Sequence, residues 1–557
     1  MTSATSAAEP ESVDVVVVGA GPCGALMANM LGHYGLTVAL IDESVEIVDY
    51  PRAVGMDDES LRAMQSVELT DDLLIDTIQN VPLRLFDRKG RPAAHILPST
   101  REFGWARRNI FMQHNCERVL RRGLTRYGQV QLHLGCEVVG LAQTKDAVEI
   151  QARSKDGLDF TITADFAIGA DGGRSFVREF IGARLVGATH ERKWVVIDCD
   201  NDTADAPYTA LHCDPERPHV CIHLPYGYRR WEFMLFPGED AEAMLSDDAV
   251  RSLLARHVRN SADVNVIRAR VYTHHSRVAD RFQSGRVFLV GDAAHLMPPW
   301  AGQGLNTGIR DVVNLAWKLA GVVQGRLGPS VLDTYELERK PHASAMVAMS
   351  TTLGRILSPT HRTVAVVRDA FLHASRWLPP VKKWALEMKF KPMPNYDNGF
   401  VVSRAGSDAD IGKMFIQPNV RVSNRVTMKL DDALGDWITI LGWQTDPGAG
   451  LSAERRQKLT KMGVGFFKVV GSCPSTHERS VDFASTSVLE DTDNRLRYWF
   501  GDRRVDFVVL RPDRYVATTA TLADLDCQLD RFLDLAESIE PRVLTFPQGV
   551  SEKGYTP

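Results

Sequence analysis

The residues best placed to do chemistry begin at Val13, where an apolar run to Val18 leads into Gly19-Ala20-Gly21-Pro22-Cys23-Gly24. Glycines at this spacing, between a strand and a helix reaching about Tyr34, form a cradle for a pyrophosphate. The first permits the tight turn, the second lets backbone approach the anion, and the third lets helix and strand pack closely. The helix N-terminus then faces the negative charge. A second strand, 37–41, ends at Asp42, eighteen residues after Gly24, where a carboxylate can accept hydrogen bonds from a ribose. Glu43 is the neighbouring candidate, but strand alternation favours Asp42.

Roughly 270 residues later a second constellation appears, Gly291-Asp292-Ala293-Ala294-His295 followed by Gly302-Gln303-Gly304. The run 286–290 reads as a buried strand, and Asp292 ends it as an acceptor for a polyol hydroxyl or as a turn cap. Pro298-Pro299 stiffens the loop, and Gly302 to Gly304 open a long helix over 305–324 with Leu305, Asn306, Asp311 and Asn314 near its start. Its N-terminus would favour negative charge on a bound ring. Between the two constellations, a strand over 160–170 ends at Asp171-Gly172, suited to backbone contact with phosphate or ribose, or to a plain turn. Arg52, in a loop after the second strand, could neutralise phosphate or lie near a cofactor ring, or be solvated. Gln113 lies near the start of a helix over 111–122.

These residues require a scaffold that returns to the same sheet after an excursion. Strands are expected at 130–138 and 148–152, and from 184 to 277 short alternating strands with aromatics predict an inserted, mostly antiparallel sheet. That sheet could wall a pocket for an apolar ring. Arg217, Arg229 and Arg230 lie within it, and any of them could grip a carboxylate through two parallel hydrogen bonds or be solvated. The expected organisation is a first part of a nucleotide-binding domain (1–183), the inserted sheet (184–277) and the second part of that domain (278–345). A helical and Pro-rich connector (346–409) and a second α/β unit (410–557) follow.

Composition sets the outer bounds. The 557 residues are 44% hydrophobic and 24% charged, with 65 bases against 70 acids for a net charge of −5. This is the profile of a multidomain globular protein without a basic face, so nucleic acid is not an expected partner. The apolar stretch 13–31 contains Asp14 and four helix-breaking positions, which argues for strand plus helix over a membrane span. The first twelve residues lack a basic n-region, so no signal peptide is expected. Eight cysteines, including Cys473 and Cys527, show no Cys-x-x-Cys, so neither a zinc site nor a dithiol centre is expected and a reducing cytoplasm is the default.

The three glycine signatures in this order resemble the flavin-dependent aromatic hydroxylases of the p-hydroxybenzoate hydroxylase fold. Further segments resemble the branch acting on 3-(3-hydroxyphenyl)propionate and 3-hydroxycinnamate. Among them are Asp49-Tyr50-Pro51-Arg52-Ala53, Asp57-Asp58-Glu59, Val271-Tyr272-Thr273-His274, Lys413-Met414-Phe415-Ile416-Gln417-Pro418 and Arg511-Pro512-Asp513-Arg514. The likeness covers nearly the whole chain; Glu191-Arg192-Lys193 departs from it near Trp194.

The resemblance implies an FAD-binding Rossmann-like domain with an inserted antiparallel substrate sheet and a thioredoxin-like C-terminal domain without Cys-x-x-Cys. It implies that FAD is held by Gly19, Ala20, Gly21, Pro22, Gly24, Asp42, Glu43, Arg52, Gln113, Asp171, Gly172, Gly291, Asp292, Gly302, Gly304, Leu305 and Asn306. NADH or NADPH would bind transiently as reductant, since no second complete Gly-x-Gly-x-x-Gly occurs. O2 would add to the reduced flavin, and one oxygen atom would pass to a phenolic acid, ortho to its hydroxyl. Tyr272 or His295 could join a proton relay, and Arg217 or Arg230 could hold the substrate. A homodimer is a further possibility. Substrate alternatives are the 2-hydroxyphenyl isomer or a resorcinol derivative; a flavin-binding scaffold is the non-enzyme alternative. The Trp-x-Trp-x-Ile-Pro signature of flavin halogenases is absent, as is the second nucleotide fold of Baeyer–Villiger oxygenases.

Overall fold

The computed structural model describes residues 11–50, 52–375, 377–404, 410–422, 426–471 and 486–538. Pro51, Cys473 and the outer ends of the first and last expected domains lie outside the described residues.

The strand Glu11–Val18 is valine-rich because it is covered on both faces, as a central parallel strand must be. It pairs in parallel with Val38–Asp42 on one side and Asp159–Gly169 on the other. Val130–Leu134 and Val287–Leu289 extend the sheet in parallel at its two flanks. The helix Pro22–His33 packs over it, against the twenty-residue helix Gly304–Val323. The strand expected over 130–138 is two strands, Val130–Leu134 and Cys136–Gln143, because Gly135 adopts φ +73° and turns the chain between them.

The inserted sheet is longer than its sequence pattern suggested. Its spine is the antiparallel pair Leu185–Asp200 and Asn265–Ala279. Arg229–Met234, His219–His223 and Thr209–His212 continue it outward. Two strands that the sequence reading did not anticipate, Leu83–Phe86 and Pro92–Ile96, lie within the residues assigned to the nucleotide-binding part and complete one edge, and His295–Leu296 from the second glycine constellation completes the other. The sheet is therefore stitched from three separated segments. Hydrophobic alternation on these strands splits its faces. Val195, Ile197, Trp231 and Phe233 pack under the helix Asp247–Leu254, while Trp194, Asp198, Arg230 and Tyr272 share the opposite face by register.

Beyond residue 410, among the described residues, a seven-stranded sheet centres on the parallel pair Thr439–Trp443 and Gly465–Gly471, joined through the helix Ala453–Lys461. The antiparallel strands Phe507–Leu510 and Val516–Ala520 lie on one side. Trp437, Ile440, Phe507 and Phe532 belong to the same apolar core as the nucleotide-binding sheet, so this unit is fused to the first rather than tethered to it.

Buried ion pairs fix its orientation. The Arg62 guanidinium grips Asp431 at 2.6 and 2.8 Å. Arg511 donates twice to Glu338 on the helix Thr334–Leu357, both at 2.8 Å, and also pairs with Asp513. Glu338 further accepts from Lys318 and Asn314. Burial opposes ionisation of Glu338, yet Arg511 and Lys318 outweigh it and hold the carboxyl at about 2. Its contribution to stability is complete above the ordinary value of 4.5 and is lost as pH falls through about 2. Replacing Arg511 with Met should leave Asp513 and Glu338 undercompensated and destabilise the protein by about 3–5 kcal/mol in denaturant unfolding.

Candidate functional site

The first cradle has the division of labour its spacing predicted. Gly19 sits at φ +101°, and a Cβ there would lie 2.5 Å from the Ala170 carbonyl oxygen. A Cβ on Gly24 would lie 1.8 Å from the Gly19 oxygen, so only glycine lets the helix close onto the strand. A Cβ on Gly21 would meet nothing within 4 Å: the space in front of the helix start is open, as a pyrophosphate requires. Asp42 accepts from the Ala20 amide at 2.6 Å and from the Ser44 amide at 2.7 Å. The carboxylate thus shapes the loop itself and keeps its remaining lone pairs for a hydroxyl. Glu43 points to solvent.

The other two constellations close on this cradle. The Asp171 carboxylate accepts from the Val177 amide at 3.1 Å, while its second oxygen, Oδ1, is buried without a hydrogen-bond partner. Burial raises the Asp171 pKa. An orphaned buried acceptor next to an open cradle is what a missing hydroxyl donor would leave. Gly291 and Gly308 both abut the Cys23 sulfur, where Cβ atoms would lie at 2.9 and 2.6 Å, so the helix Gly304–Val323 presses against the first glycine loop. Gln303 provides no side-chain cap to that helix, leaving the first-turn amides of Gly304 and Leu305 without an intrahelical or capping side-chain acceptor. Asp292 is exposed at the mouth of the turn. Arg178, just beyond the Asp171-Gly172 turn, donates to Gly173 O at 2.9 Å and Ala293 O at 3.1 Å, joining that turn to the one after Gly291.

Several expected ligands prove to be braces. Asn306 donates through Nδ2 to Gly55 O and Gly302 O, and its Oδ1 accepts from Asp57 N and Ser60 Oγ. Its side chain is saturated, so only its backbone can serve a cofactor. Gln113 accepts from the Ala53 amide and donates to Glu117, both at 2.7 Å, and thereby holds the loop that carries the exposed Arg52. Arg230 pairs in the interior with Asp198 at 2.8 and 3.1 Å and donates to the Arg52 carbonyl at 2.9 Å. It fixes the same loop from the inserted sheet instead of offering a bare guanidinium to substrate. Arg229 is similarly engaged with Ala204 O and Ala206 O. Arg217 binds Glu239 through both terminal nitrogens and Met234 O, on the outer part of the sheet. His295 is buried and bonds Asp311 through Nε2 at 2.7 Å, which braces the turn from beneath, while its Nδ1 has no hydrogen-bond partner.

Tyr272 does lie on the sheet face opposite the Trp231 and Phe233 core, and its hydroxyl accepts from Arg268 Nη2 at 3.0 Å. Tyr50 from the Arg52 loop lies under Arg268, whose guanidinium carbon is 3.2 Å from the ring centroid. Further along the same face Trp194 stacks on His274 with centroids 5.8 Å apart, and Trp300 meets Trp194 edge-on at 4.8 Å. Trp300 follows the Pro298-Pro299 stiffener, the one sequence signal that could have placed it here. Burial, aided by His190 and His275, lowers the His274 pKa to about 4, so this aromatic wall is neutral at neutral pH. Among the described residues no group of three or more His, Cys, Asp or Glu side chains is arranged to hold a metal ion. No described helix is long and apolar enough to cross a membrane.

Comparison with known proteins agrees with this geometry. Residues 12–350 match the FAD binding domain family, and residues 412–535 match the HcaD C-terminal domain. A 3-(3-hydroxy-phenyl)propionate/3-hydroxycinnamic acid hydroxylase of Burkholderia cenocepacia is 52% identical over 92% of this chain and 94% of its own. One from Klebsiella pneumoniae is 43% identical over 95% and 96%. Among solved structures, the flavin-dependent monooxygenase PieE superposes with a TM-score of 0.76 at 21% identity, covering 94% of this chain and all of its own. Aklavinone-11 hydroxylase does so with 0.76 at 23%, covering 95% and 99%.

The glycine geometry separates room for a ligand from packing. Gly21→Val should fold with an unchanged melting temperature yet lose FAD affinity by tenfold or more, about 1.4 kcal/mol. Gly24→Ala should fail at the folding step, and fluorescence titration beside thermal unfolding distinguishes the two.

Proposed function

The chain belongs to the FAD-binding aromatic hydroxylases, and from that premise we propose that it is an NAD(P)H-dependent monooxygenase of a phenolic acid, 3-(3-hydroxyphenyl)propionate together with 3-hydroxycinnamate. The product is the 2,3-dihydroxy catechol, formed by hydroxylation ortho to the existing hydroxyl. The observation that carries this reading is the 52% identity to a hydroxylase of that name, spread over 92% of the chain and so including the substrate sheet.

Bound FAD supplies the redox and oxygen-transfer chemistry. Gly19 to Gly24 and Asp42 would hold its adenosine and pyrophosphate half, while Asp171, Asp292 and the amides of Gly304 and Leu305 would hold its flavin half. The uncapped helix start would stabilise negative charge there. Chain groups do the rest. Trp194 and His274, stacked, with Trp300 edge-on to both, give a neutral aromatic corner that orients an aromatic ring and excludes water. Tyr272 accepts from Arg268 and so keeps its own hydroxyl proton free to exchange with a phenol, which must lose its proton to become electron-rich. Arg268 and Arg270, on the same face, are the cations nearest that hydroxyl in the register and suit the substrate carboxylate better than the paired Arg230. In the C-terminal unit the parallel pair with its crossover helix and the adjoining antiparallel strands support a thioredoxin-like scaffold without redox chemistry. A cytoplasmic setting follows from NAD(P)H as reductant.

Purified holoenzyme should oxidise NADH or NADPH slowly alone and many times faster with 3-(3-hydroxyphenyl)propionate, giving a product heavier by one oxygen atom. Stimulation without oxygenated product would make this phenol an effector and shift the substrate to another phenolic acid. No stimulation by any phenolic acid would favour the scaffold reading. Tyr272→Phe should lower kcat by about 10²-fold with FAD content retained.

A further inference from the structure

The helix Arg362–Ser375 is amphipathic in the wrong sense for a surface helix. Its inward face carries charge: Arg368 and Asp369 are both buried, joined at 2.7 Å, and Arg368 also donates to Cys213 O at 2.7 Å. The neighbouring His373 meets Asp87 at 3.0 Å. Its outward face carries Val366, Val367 and Phe371, the last two 70% and 71% exposed. The following turn and the helix Pro379–Leu386 add Trp377, 86% exposed, with Leu378 and Trp384 about half exposed. A helix of a soluble monomer places these chemistries the other way round.

The area is large enough to matter. With full side-chain surfaces of about 150–250 Å² for aromatics and somewhat less for aliphatics, these six residues expose roughly 700 Å² of apolar surface. The largest apolar patch on a typical monomer is about 300–600 Å², whereas each partner in a standard interface contributes about 800 Å².

We propose that this helical pair is the contact between two copies of the chain, related by a two-fold axis that packs the Phe371 and Trp377 surface of one copy against that of the other. A two-fold contact requires one self-complementary patch, which an apolar centre supplies. The charged groups around the centre include both signs, with Arg362 beside Glu216 at 3.4 Å and Lys382 and Lys383 exposed on the second helix. An uncharged aromatic centre inside a polar rim is the anatomy of a protein interface. An anionic lipid surface fits less well, because the chain as a whole carries a net charge of −5 and is repelled by it. The pair also packs on the Pro92–Ile96 edge of the substrate sheet, and Leu357 and Met388 at its two ends join the cluster that contains Trp300. Association would therefore rigidify the edge of the aromatic pocket.

Light scattering of the FAD-loaded protein at micromolar concentration should give twice the 61.9 kDa chain mass. The double variant Val367→Glu/Trp377→Glu should give the monomer mass, with dissociation strengthened about a hundredfold or more and with FAD content and absorbance spectrum unchanged. A wild-type monomer, or a dimer that survives the double variant, would overturn the proposal. A wild-type monomer that co-sediments with phosphatidylserine-containing vesicles would overturn it as well and assign the face to lipid.

Discussion

The buried Asp311 carboxylate is the interaction on which the site depends. It accepts from the Gly291 amide at 3.1 Å, from His295 Nε2 at 2.7 Å and from Arg339 Nε at 2.9 Å. One side chain therefore ties the turn after the last parallel strand, the helix Gly304–Val323 that bears it, and the helix Thr334–Leu357. Burial disfavours its charge, but His295 and Arg339 outweigh that and keep its pKa lowered. An ionised acid in the interior is tolerable only with this full set of partners. Their geometry in turn fixes where the uncapped helix start points and where Asp292 emerges. The turn and helix start proposed to hold the cofactor are thus positioned by a buried charge that lies behind them.

The same device recurs outward. Arg310 joins Asp57 and Glu59, with Lys391 closing on both acids at 2.8 Å, which links the helix Gly304–Val323 to the helix Asp58–Gln65 and to the connector. Glu338, Lys318 and Arg511 do the same for the C-terminal unit. These networks add little net stability compared with apolar packing, since desolvation offsets much of their attraction. Their effect is on register: a helix that slips by one residue leaves a buried charge alone. That explains how separated stretches of the chain are held in one fixed arrangement around the glycine turns.

What was legible in the sequence was the backbone chemistry. Gly19, Gly21 and Gly24 could be assigned separate tasks because a turn, an open approach and a close packing contact each constrain glycine locally. The α/β character of the chain was legible for the same reason, since apolar strands and helices alternate with clear punctuation. Side-chain partnerships were not. Arg230, Asn306 and His295 carry the right chemistry for ligands, and nothing local announces that Asp198, Gly55 or Asp311 already engages them. Those partners are 16 to 251 residues away. Nor could the pattern show that 83–96 joins the inserted sheet, because two short strands read alike in either domain. The inverted helix at 362–375 was visible only once burial separated Arg368 and Asp369 from Val367 and Phe371.

The most direct test of this account is the FAD dissociation constant of Asp311→Asn, a change that keeps the shape of a residue lying wholly beneath the site. If the carboxylate sets the site, the amide leaves Arg339 undercompensated and loosens the Gly291 turn. FAD affinity should then fall at least about tenfold although no residue of the Gly19 to Gly24 cradle is changed. An unchanged dissociation constant in a folded variant would contradict the account and return the whole of cofactor binding to the residues that face it.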